Sequence, residues 1–196
     1  MLKQILGIDL DDVVIESAPR VIEHHNSKFG TNVTLKDFYS HDLRVWNTSD
    51  LDTAIRQINS YMETDEYISS KPAAHTVEAI SLLKERYGLY IITGRPSFTE
   101  ELTRKWLQIH FPEVFDDIVL SNSYALTGTK KRTKGEVCLE LGVDILIDDH
   151  LEHIKSAAGC GVRGLLFGEY PWNVTDVLPK NVVRVKDWEA VKEVLL

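Results

Sequence analysis

The sequence contains only two cysteines among 196 residues, Cys138 and Cys160, and they form no Cys-x-x-Cys motif. A structural disulfide is therefore not expected, and we interpret both cysteines as small packing or bystander residues. The seven histidines do not show the spacing of zinc ligands either. His150 and His153 are three residues apart, as on one helix face, but the sequence offers them no third ligand. Metal chemistry is therefore expected from carboxylates.

Long apolar runs and an excess of basic residues are also missing. No run approaches the roughly 20 apolar residues that span a bilayer, so no membrane span is predicted. The first residues, MLKQILGIDLDD, lead directly into acids without a cleavage site, so we expect no signal peptide and a cytoplasmic location. The net charge of −8 argues against a nucleic-acid polymer as partner. A small phosphorylated molecule is still compatible with this charge, because a divalent cation can make a pocket locally attractive.

What the sequence does contain is an alternation of short apolar runs with amphipathic segments. The predicted strands are residues 4–10, 89–93, 117–120, 144–147 and 163–167. The predicted helices are residues 17–29, 50–62, 73–87, 99–110, 134–141 and 150–158. The helix over 73–87 is expected to bury Val77, Ile80, Leu82 and Leu83 and to end at Gly88. This alternation predicts an α/β fold with a parallel sheet and helices on both faces.

One interval interrupts the alternation. Residues 13–74 show no signal of a core strand, and such a length exceeds that of a simple connection. Two helical patterns lie within it. We therefore predict a small helical cap at 13–74, inserted after the first strand, with residues 1–12 and 75–196 forming the core domain. The sequence does not indicate an oligomeric state.

Two carboxylates follow the first strand, Asp9 and Asp11. Ligands of open α/β sheets bind beyond the carboxyl ends of the strands. Asp9 could attack phosphorus and form an aspartyl-phosphate, while Asp11 gives a proton to the leaving group and later takes one from water. A helix cap or a solvated turn would explain an isolated Asp-x-Asp as well.

Two other strand ends carry polar residues. Thr93 and Gly94 follow the second strand and could donate hydrogen bonds to a phosphate oxygen, although a plain turn is the alternative. Asp148 and Asp149 close an apolar strand, where two acids are costly unless a cation meets them.

Mg2+ prefers oxygen ligands, so Asp9 and Asp148 with a backbone carbonyl are candidate ligands, and Asp11 is a further one. Lys134 opens a predicted helix, against the preference of the helix dipole, and could balance the phosphate. Its alternative is a solvated lysine within the basic run 130–134.

These residues resemble the four motifs of the haloacid dehalogenase-like (HAD) superfamily, in order and in strand position, over the whole chain. The resemblance implies a Rossmann-like core and Mg2+ as cofactor. It implies roles for six residues: Asp9 as nucleophile, Asp11 as acid/base, Thr93 and Lys134 as phosphate binders, Asp148 as metal ligand, and Asp149 as the residue that orients a metal-bound water. The second acid, Asp11, disfavours a dehalogenase.

Within the superfamily, segments 91–96, 139–149 and 170–173 are most similar to the 5'(3')-deoxyribonucleotidase group and its bacterial relatives. This similarity implies hydrolysis of nucleoside monophosphates. Another small phosphomonoester, or a phosphate-binding module without turnover, are the alternatives. Many relatives carry glycine where this chain has Asp12, which adds a negative charge near the expected metal.

The middle of the predicted cap is rich in aromatic residues. Tyr39 and Trp46 could stack on a base, with Arg44 close to its polar edge. Alternatively, Phe38 and Trp46 pack a small core within the cap itself. The loop 170–173 either lines the site or only closes it.

Overall fold

A computed structural model describes residues 3–40 and 42–196 of the chain. The predicted core residues 1–2 and His41, one of the seven histidines, lie outside the described residues. Within the described ranges, six parallel strands form one sheet in the order β3-β2-β1-β4-β5-β6. The strands are β1 (Gln4–Ile8), β2 (Tyr87–Thr93), β3 (Asp117–Leu120), β4 (Ile145–Asp148), β5 (Arg163–Phe167) and β6 (Val182–Val185).

Helices cover both faces of this sheet and fill the long interval after β1. They are α1 (Ala18–Phe29), α2 (Leu51–Asn59), α3 (Asp65–Ser69), α4 (Thr76–Arg86), α5 (Glu100–His110), α6 (Lys134–Leu141), α7 (Leu151–Gly159) and α8 (Trp188–Leu195). A short 3-10 helix, Ser60–Glu63, follows α2. The predicted α/β fold with a parallel sheet is confirmed.

The register of the three central strands decides where the site lies. Ile8 pairs with Ile91 of β2 on one side and with Ile147 of β4 on the other. The order of the strands along the sheet reverses at β1, with β2 and β3 on one side and β4, β5 and β6 on the other. Parallel strands in register bring their carboxyl ends to one edge of the sheet, and a reversal of strand order opens a crevice there.

Two hydrophobic clusters hold the sheet between its helices. One packs Leu6 and Ile8 against Ile80, Trp106 and Trp188. The other lies on the opposite face and includes Ile92, Val137, Leu146, Ile154 and Leu166. The central strands are buried on both faces because helices cover both, which explains their nearly continuous apolar sequences. The strand ends are thereby held rigidly.

The structure corrects three expectations about local elements. Strand β6 and helix α8 were not predicted from the sequence. Helix α4 ends at Arg86, so that Gly88 lies inside β2 and does not end the helix. Its buried residues include Ile80 and Leu83, whereas Val77 and Leu82 are exposed. Both cysteines are free thiols, Cys138 buried and Cys160 partly buried.

Residues 13–74, called the insertion below, contain α1, α2, the 3-10 helix and α3, and no strand among their described residues. The centre of the insertion has its own small cluster of Ile22, Val33, Trp46 and Ala54, against which Phe38 packs. Its two ends belong to the main core, through Val13, Val14, Ile15 and Tyr67. Among the residues that the structure describes, no helix combines the length and apolar character needed to cross a membrane.

Candidate active site

Asp9 follows β1 directly, and its backbone N–H donates to the carbonyl of Ile147 over 2.8 Å. This bond continues the pairing with β4 beyond the strand and fixes Asp9 beside Asp148. The Asp9 side chain is buried, and its Oδ1 lies 2.6 Å from the Nζ of Lys134. The same Nζ donates to Asp148 Oδ2 over 2.6 Å. The lysine therefore bridges the ends of β1 and β4.

Lys134 is fully buried at the first position of α6. Thr133 and Glu136 form a capping box at this helix end, which holds the start of the helix in place. Burial alone would lower the pKa of Lys134, but the charges of Asp148 and Asp9 raise it above its ordinary value. Lys134 is therefore a fixed cation of the site, and not a solvated member of the basic run.

Asp9, Asp148 and Asp149 form a buried group whose carboxylate oxygens lie within 4.8 Å of one another. When all are ionised they carry three negative charges, of which the contact with Lys134 offsets one. Two uncompensated charges and a set of buried carboxylate oxygens together fit a divalent cation such as Mg2+.

The electrostatics of this group are those of crowded carboxylates. Burial, opposed by Lys134 and assisted by repulsion from Asp148, raises the pKa of Asp9 to about 6. Burial and the repulsion of Asp148 and Asp9 raise the pKa of Asp149 well above its ordinary value. Burial would also raise the pKa of Asp148, but Lys134 and His153 lower it below the ordinary value. A cation bound between these acids would favour their ionised forms.

The carboxylate of Asp11 lies outside this group, and its assignment as a further metal ligand stays a prediction. It forms a two-pronged ion pair with Arg95, with Nε–Oδ2 2.8 Å and Nη2–Oδ1 2.7 Å. The hydroxyl of Ser17 also donates to Oδ1. Burial would raise the pKa of Asp11, but the charge and hydrogen bonds of Arg95, with the bond from Ser17, lower it. Asp11 is thus held in its ionised form beside Asp9.

Arg95 is itself held by two hydroxyl groups. Its Nη1 donates to the Tyr67 hydroxyl over 2.7 Å and to Thr103 Oγ1 over 2.9 Å. Its side chain is only 6% exposed. Tyr67 comes from α3 of the insertion and Thr103 from α5, so Arg95 joins the Asp11 loop to both segments.

Asp12 occupies a position that favours glycine, because its φ is +57°. Its Oδ1 accepts the backbone N–H groups of Ser17 and Ala18 at the start of α1. The Asp12 side chain therefore anchors the start of the helix, while its burial raises its pKa to about 7.

Thr93 and Gly94 end β2 next to Asp9. Thr93 is fully buried, and its Oγ1 accepts the backbone N–H of Arg95 over 3.2 Å. A Cβ atom on Gly94 would come within 2.9 Å of the Tyr124 ring, so only glycine leaves the space there. The structure therefore brings both residues to the same edge as Asp9, and Gly94 lines the cavity described next.

A cavity of about 530 Å³ opens above the carboxylates. Its floor is charged and comes from the strand ends, with Asp9, Asp11, Arg95 and Asp149. Its roof comes from the insertion and is apolar for the most part: Val21, Phe38, Tyr39, Leu43, Trp46, Leu51, Ala54, Ile55, Ile58, Asn59, Tyr61 and Met62.

The three candidate substrate residues of the insertion have different positions. Tyr39 lines the cavity and packs its ring against Tyr124, His150 and Trp172. Trp46 lines the cavity too, but it is also part of the insertion's own small cluster. Arg44 points to solvent with 90% of its side chain exposed and pairs with Asp42. The structure does not bring Arg44 into the site.

The sequence did not assign individual contacts to several residues of the site, although the loop 170–173 was expected to line or close it. Arg95 stands directly after Thr93 and Gly94, and this position in the sequence could have indicated that it belongs to the site. Trp172 donates its indole N–H to Asp149 Oδ2 over 2.7 Å. His150 and His153 line the cavity beside Tyr124, and His153 Nδ1 lies 3.4 Å from Asp148 Oδ1. No periodicity of the sequence indicates these contacts, because they join separate loops.

Comparison with known proteins agrees with this geometry. A family model described as 5' nucleotidase, deoxy (pyrimidine), cytosolic type C protein matches residues 3–196. The chain is 27% identical over 195 residues to "Putative nucleotidase YqfW" of Bacillus subtilis, covering 95% of this chain and 91% of the relative. It is 29% identical over 194 residues to a "Putative nucleotidase" of Bacillus cereus, covering 96% of each.

Solved structures show the same fold at low sequence identity. A haloacid dehalogenase-like family hydrolase from Streptococcus pneumoniae superposes with a TM-score of 0.68 over 98% of both chains, at 14% identity. The "putative HAD-hydrolase YfnB" of Bacillus subtilis, solved bound to magnesium, superposes with a TM-score of 0.66 at 15% identity, over 100% of this chain and 99% of the other. Because the family model covers almost the whole chain, this protein belongs to that nucleotidase family of the HAD superfamily and is a phosphoric monoester hydrolase.

Proposed function

We propose that this enzyme hydrolyses nucleoside monophosphates with Mg2+, through an aspartyl-phosphate on Asp9. The observation that carries the proposal is the convergence of Asp9, Asp148, Asp149 and Lys134 beneath a cavity with an apolar roof. The nucleophile, the oxygen ligands for the cation and the fixed positive charge of Lys134 then lie together where a phosphate would enter. The roof faces the leaving group of the substrate.

The cation is assigned to Asp9 and Asp148, with Asp149 beside them. When bound, Mg2+ supplies positive charge to the phosphate oxygens and lowers the repulsion between phosphate and carboxylate. The fit rests on the buried oxygen donors and on the two charges that Lys134 leaves uncompensated. The relative solved with magnesium supports this choice of metal by analogy.

The chain's own residues divide the chemistry into two displacements. In the first, a carboxylate oxygen of Asp9 bonds to phosphorus and the bond to the leaving oxygen breaks, while Asp11 gives that oxygen a proton. In the second, Asp11 takes a proton from water as the water oxygen bonds to phosphorus, and the bond to Asp9 breaks. Inorganic phosphate and free Asp9 result. Lys134, with Thr93 and Gly94 at the end of β2, stabilises the charge on the phosphate.

Arg95 favours the form of Asp11 that accepts a proton, because it stabilises the carboxylate. The second displacement needs that form. The first needs a proton on Asp11, which requires that its ion pair with Arg95 loosens once substrate is bound. The ion pair between Asp11 and Arg95 thus couples the protonation of Asp11 to the binding of substrate in the cavity.

The insertion is proposed to act as a cap domain over residues 13–74, on a core of residues 1–12 and 75–196. The small cluster around Trp46 supports a unit with its own packing. The cavity volume of about 530 Å³ lies within the ~300–1,000 Å³ typical of small-molecule sites. Rings such as those of Phe38 and Tyr39 suit a nucleobase better than a sugar alone, and the family description supports a nucleotide.

The test is phosphate release with Mg2+ from a panel of 5'- and 3'-nucleoside monophosphates, ribose and deoxyribose, beside sugar phosphates. We expect kcat/KM for the best nucleotide to exceed that for any sugar phosphate by about tenfold, as apolar contacts of ~1–3 kcal/mol allow. Acid quenching during turnover and peptide mass spectrometry should find one phosphoryl group on Asp9.

Each outcome has a separate meaning. Preference for sugar phosphates would remove the nucleotide part and leave the phosphatase part intact. Turnover without a phosphorylated Asp9, together with full activity of D9N, would refute the covalent mechanism. Phosphate binding without turnover of any substrate, including p-nitrophenyl phosphate, would indicate the non-catalytic alternative.

A further inference from the structure

The loop that follows β5 is built around a buried asparagine. Asn173 is fully buried, and its Nδ2 donates to the carbonyls of Asp149, over 2.8 Å, and Phe167, over 3.0 Å. Its Oδ1 accepts the backbone N–H of Tyr170 and Nη1 of Arg184. These bonds tie the loop to the ends of β4 and β5 and to β6. Its neighbour Trp172 is therefore held at a fixed position.

Trp172 touches the proposed cation site directly. Its Nε1–H donates to Asp149 Oδ2 over 2.7 Å. Its ring stacks on Tyr170, with centroids 4.7 Å apart and planes at 3°. The Tyr170 hydroxyl in turn donates to the backbone carbonyl of Asp12. One oxygen of Asp149 is thus engaged by the indole, which sets the direction of the other.

The same indole meets the insertion on its other side. The rings of Phe38 and Tyr39 lie 5.9 and 5.1 Å from it, centroid to centroid. Tyr39 contacts two further core residues, Tyr124 and His150, so this aromatic group joins the insertion to the loops after β3, β4 and β5. Trp172 bonds a carboxylate of the site through its ring N–H, whereas His150 bonds Asp148 through its backbone N–H.

We propose that Trp172 is a positioning residue with two separable roles, orienting Asp149 toward the cation through its N–H and seating the insertion over the substrate through its ring. The inference rests on the proposed function, since it assumes the cation and the closing cap. Groups that hydrogen-bond to the carboxylates of a metal site commonly change metal affinity by 10- to 100-fold when removed. If the ring of Trp172 only filled space, each substitution of it would change Mg2+ binding and substrate binding together.

Two substitutions of Trp172 separate the roles. W172F keeps an aromatic ring and removes the N–H, whereas W172Q keeps an N–H donor at similar reach and removes the ring. Y170F is the matched control, because it removes a hydrogen bond from the same loop without touching Asp149. Two quantities are measured: the Kd of Mg2+ by calorimetry on the metal-free protein, and KM for the best nucleoside monophosphate at saturating Mg2+.

We expect W172F to raise the Kd of Mg2+ about tenfold or more and to change KM less than about threefold. W172Q should show the reverse, and Y170F should leave both values within about twofold of wild type. Melting curves check that each variant is folded. If W172F binds Mg2+ as wild type does, or if both Trp172 variants shift both quantities alike, the inference is wrong.

The controls distinguish this failure from failure of the proposed function. A wild-type protein that neither binds Mg2+ nor releases phosphate would refute the function itself. A wild-type protein that does both, beside a W172F variant with unchanged Mg2+ affinity, would refute only the role of Trp172.

Discussion

The floor and the roof of the cavity are built on different physical principles. The floor concentrates charge: three acids around Lys134, and a fourth, Asp11, in an ion pair with Arg95. The roof, from the insertion, presents mainly apolar side chains. Charged groups in a fixed, largely dehydrated position can stabilise charge that develops at phosphorus, whereas apolar surface mainly binds the leaving group. Changes in the floor should therefore alter kcat, and changes in the roof should alter KM.

The largest effect is expected from Asp9→Asn. The amide cannot act as the nucleophile, so kcat should fall on the order of 10⁴-fold or more, as when other covalent nucleophiles are removed. The folded structure should survive, because the raised pKa of Asp9 shows that its surroundings disfavour a charge there. Steady-state kinetics and a melting curve check both statements. Retention of full turnover would contradict the mechanism.

Asp11→Asn should differ from Asp9→Asn in stability. The lowered pKa of Asp11 shows that its charge is stabilised, and its removal leaves the buried Arg95 guanidinium without its carboxylate partner. Breaking a buried ion pair in this way costs about 3–5 kcal/mol, and Asp9→Asn should cost much less. Urea denaturation of the two variants, without Mg2+, measures the difference.

The same variant tests proton transfer. With a nucleotide substrate, Asp11→Asn should lose about 10²- to 10⁴-fold in kcat. The loss in the rate of the first displacement, measured as the burst of leaving group, should be much smaller with p-nitrophenyl phosphate, because its leaving group departs without a proton. The second displacement should slow equally with both substrates, because Asp11 is also its base. Equal losses of the burst rate would argue against Asp11 as the acid.

The sequence was sufficient to predict the floor but not all its contacts. Asp9, Thr93 and Asp148 lie at the carboxyl ends of parallel strands, and Ile8 pairs with Ile91 and Ile147, so strand order and register bring those residues to one edge. The direction of the Asp11 carboxylate depends on the side-chain conformation of Arg95. No spacing in the sequence determines that conformation.

The contacts of the roof and the strand at the far edge of the sheet were harder to predict from the sequence. The contacts of Tyr39 with Tyr124 and Trp172 join segments far apart in the chain, and no helical or strand period encodes them. Strand β6 is only four residues long and half exposed, which makes its signal weaker than those of the buried strands. Short edge elements are stabilised by tertiary packing more than by local preference.

A further prediction concerns pH and Mg2+. Because the pKa of Asp9 is raised from 3.8 to about 6, this carboxyl holds more protons in the folded protein than in the unfolded chain between these pH values. The contribution of Asp9 to stability without Mg2+ should therefore fall as pH rises from about 4 to 6, and the raised pKa of Asp149 acts in the same direction. His150 acts in the opposite direction, because burial lowers its pKa from 6.5 to about 4. A shift of about two units corresponds to about 3 kcal/mol.

Mg2+ requires the ionised acids, so it should stabilise the protein more at pH 7.5 than at pH 5. Protonation of Asp9 at pH 5 should weaken Mg2+ binding about tenfold, or about 1.4 kcal/mol, so the increase of Tm should be roughly 3–6 °C larger at pH 7.5 than at pH 5. Thermal melts with MgCl2, against NaCl of equal ionic strength, measure it. An equal increase at both pH values would argue against a cation between these acids.

The roof is tested by Phe38→Leu, which keeps apolar volume but removes the ring. Phe38 lines the cavity, so KM for the best nucleotide should rise about five- to tenfold, while kcat changes little. The KM for p-nitrophenyl phosphate, which lacks a base, serves as the internal control and should change less. A fall in kcat at constant KM would show that the roof takes part in the chemistry, against the division of roles between the two walls.

Arg44→Ala should have the smallest effect. Its side chain is 90% exposed and paired with Asp42 on the surface, away from the cavity lining. Exposed ion pairs contribute little to stability because water and salt screen them, so the free energy of unfolding should remain close to that of wild type. The kcat and KM for nucleotides should remain within about twofold of wild type, and Asp42→Asn, which breaks the same pair from the other side, should match it. A tenfold rise in KM with Arg44→Ala but not with Asp42→Asn would mean that Arg44 turns inward when substrate binds, and that the roof supplies charge as well as apolar surface.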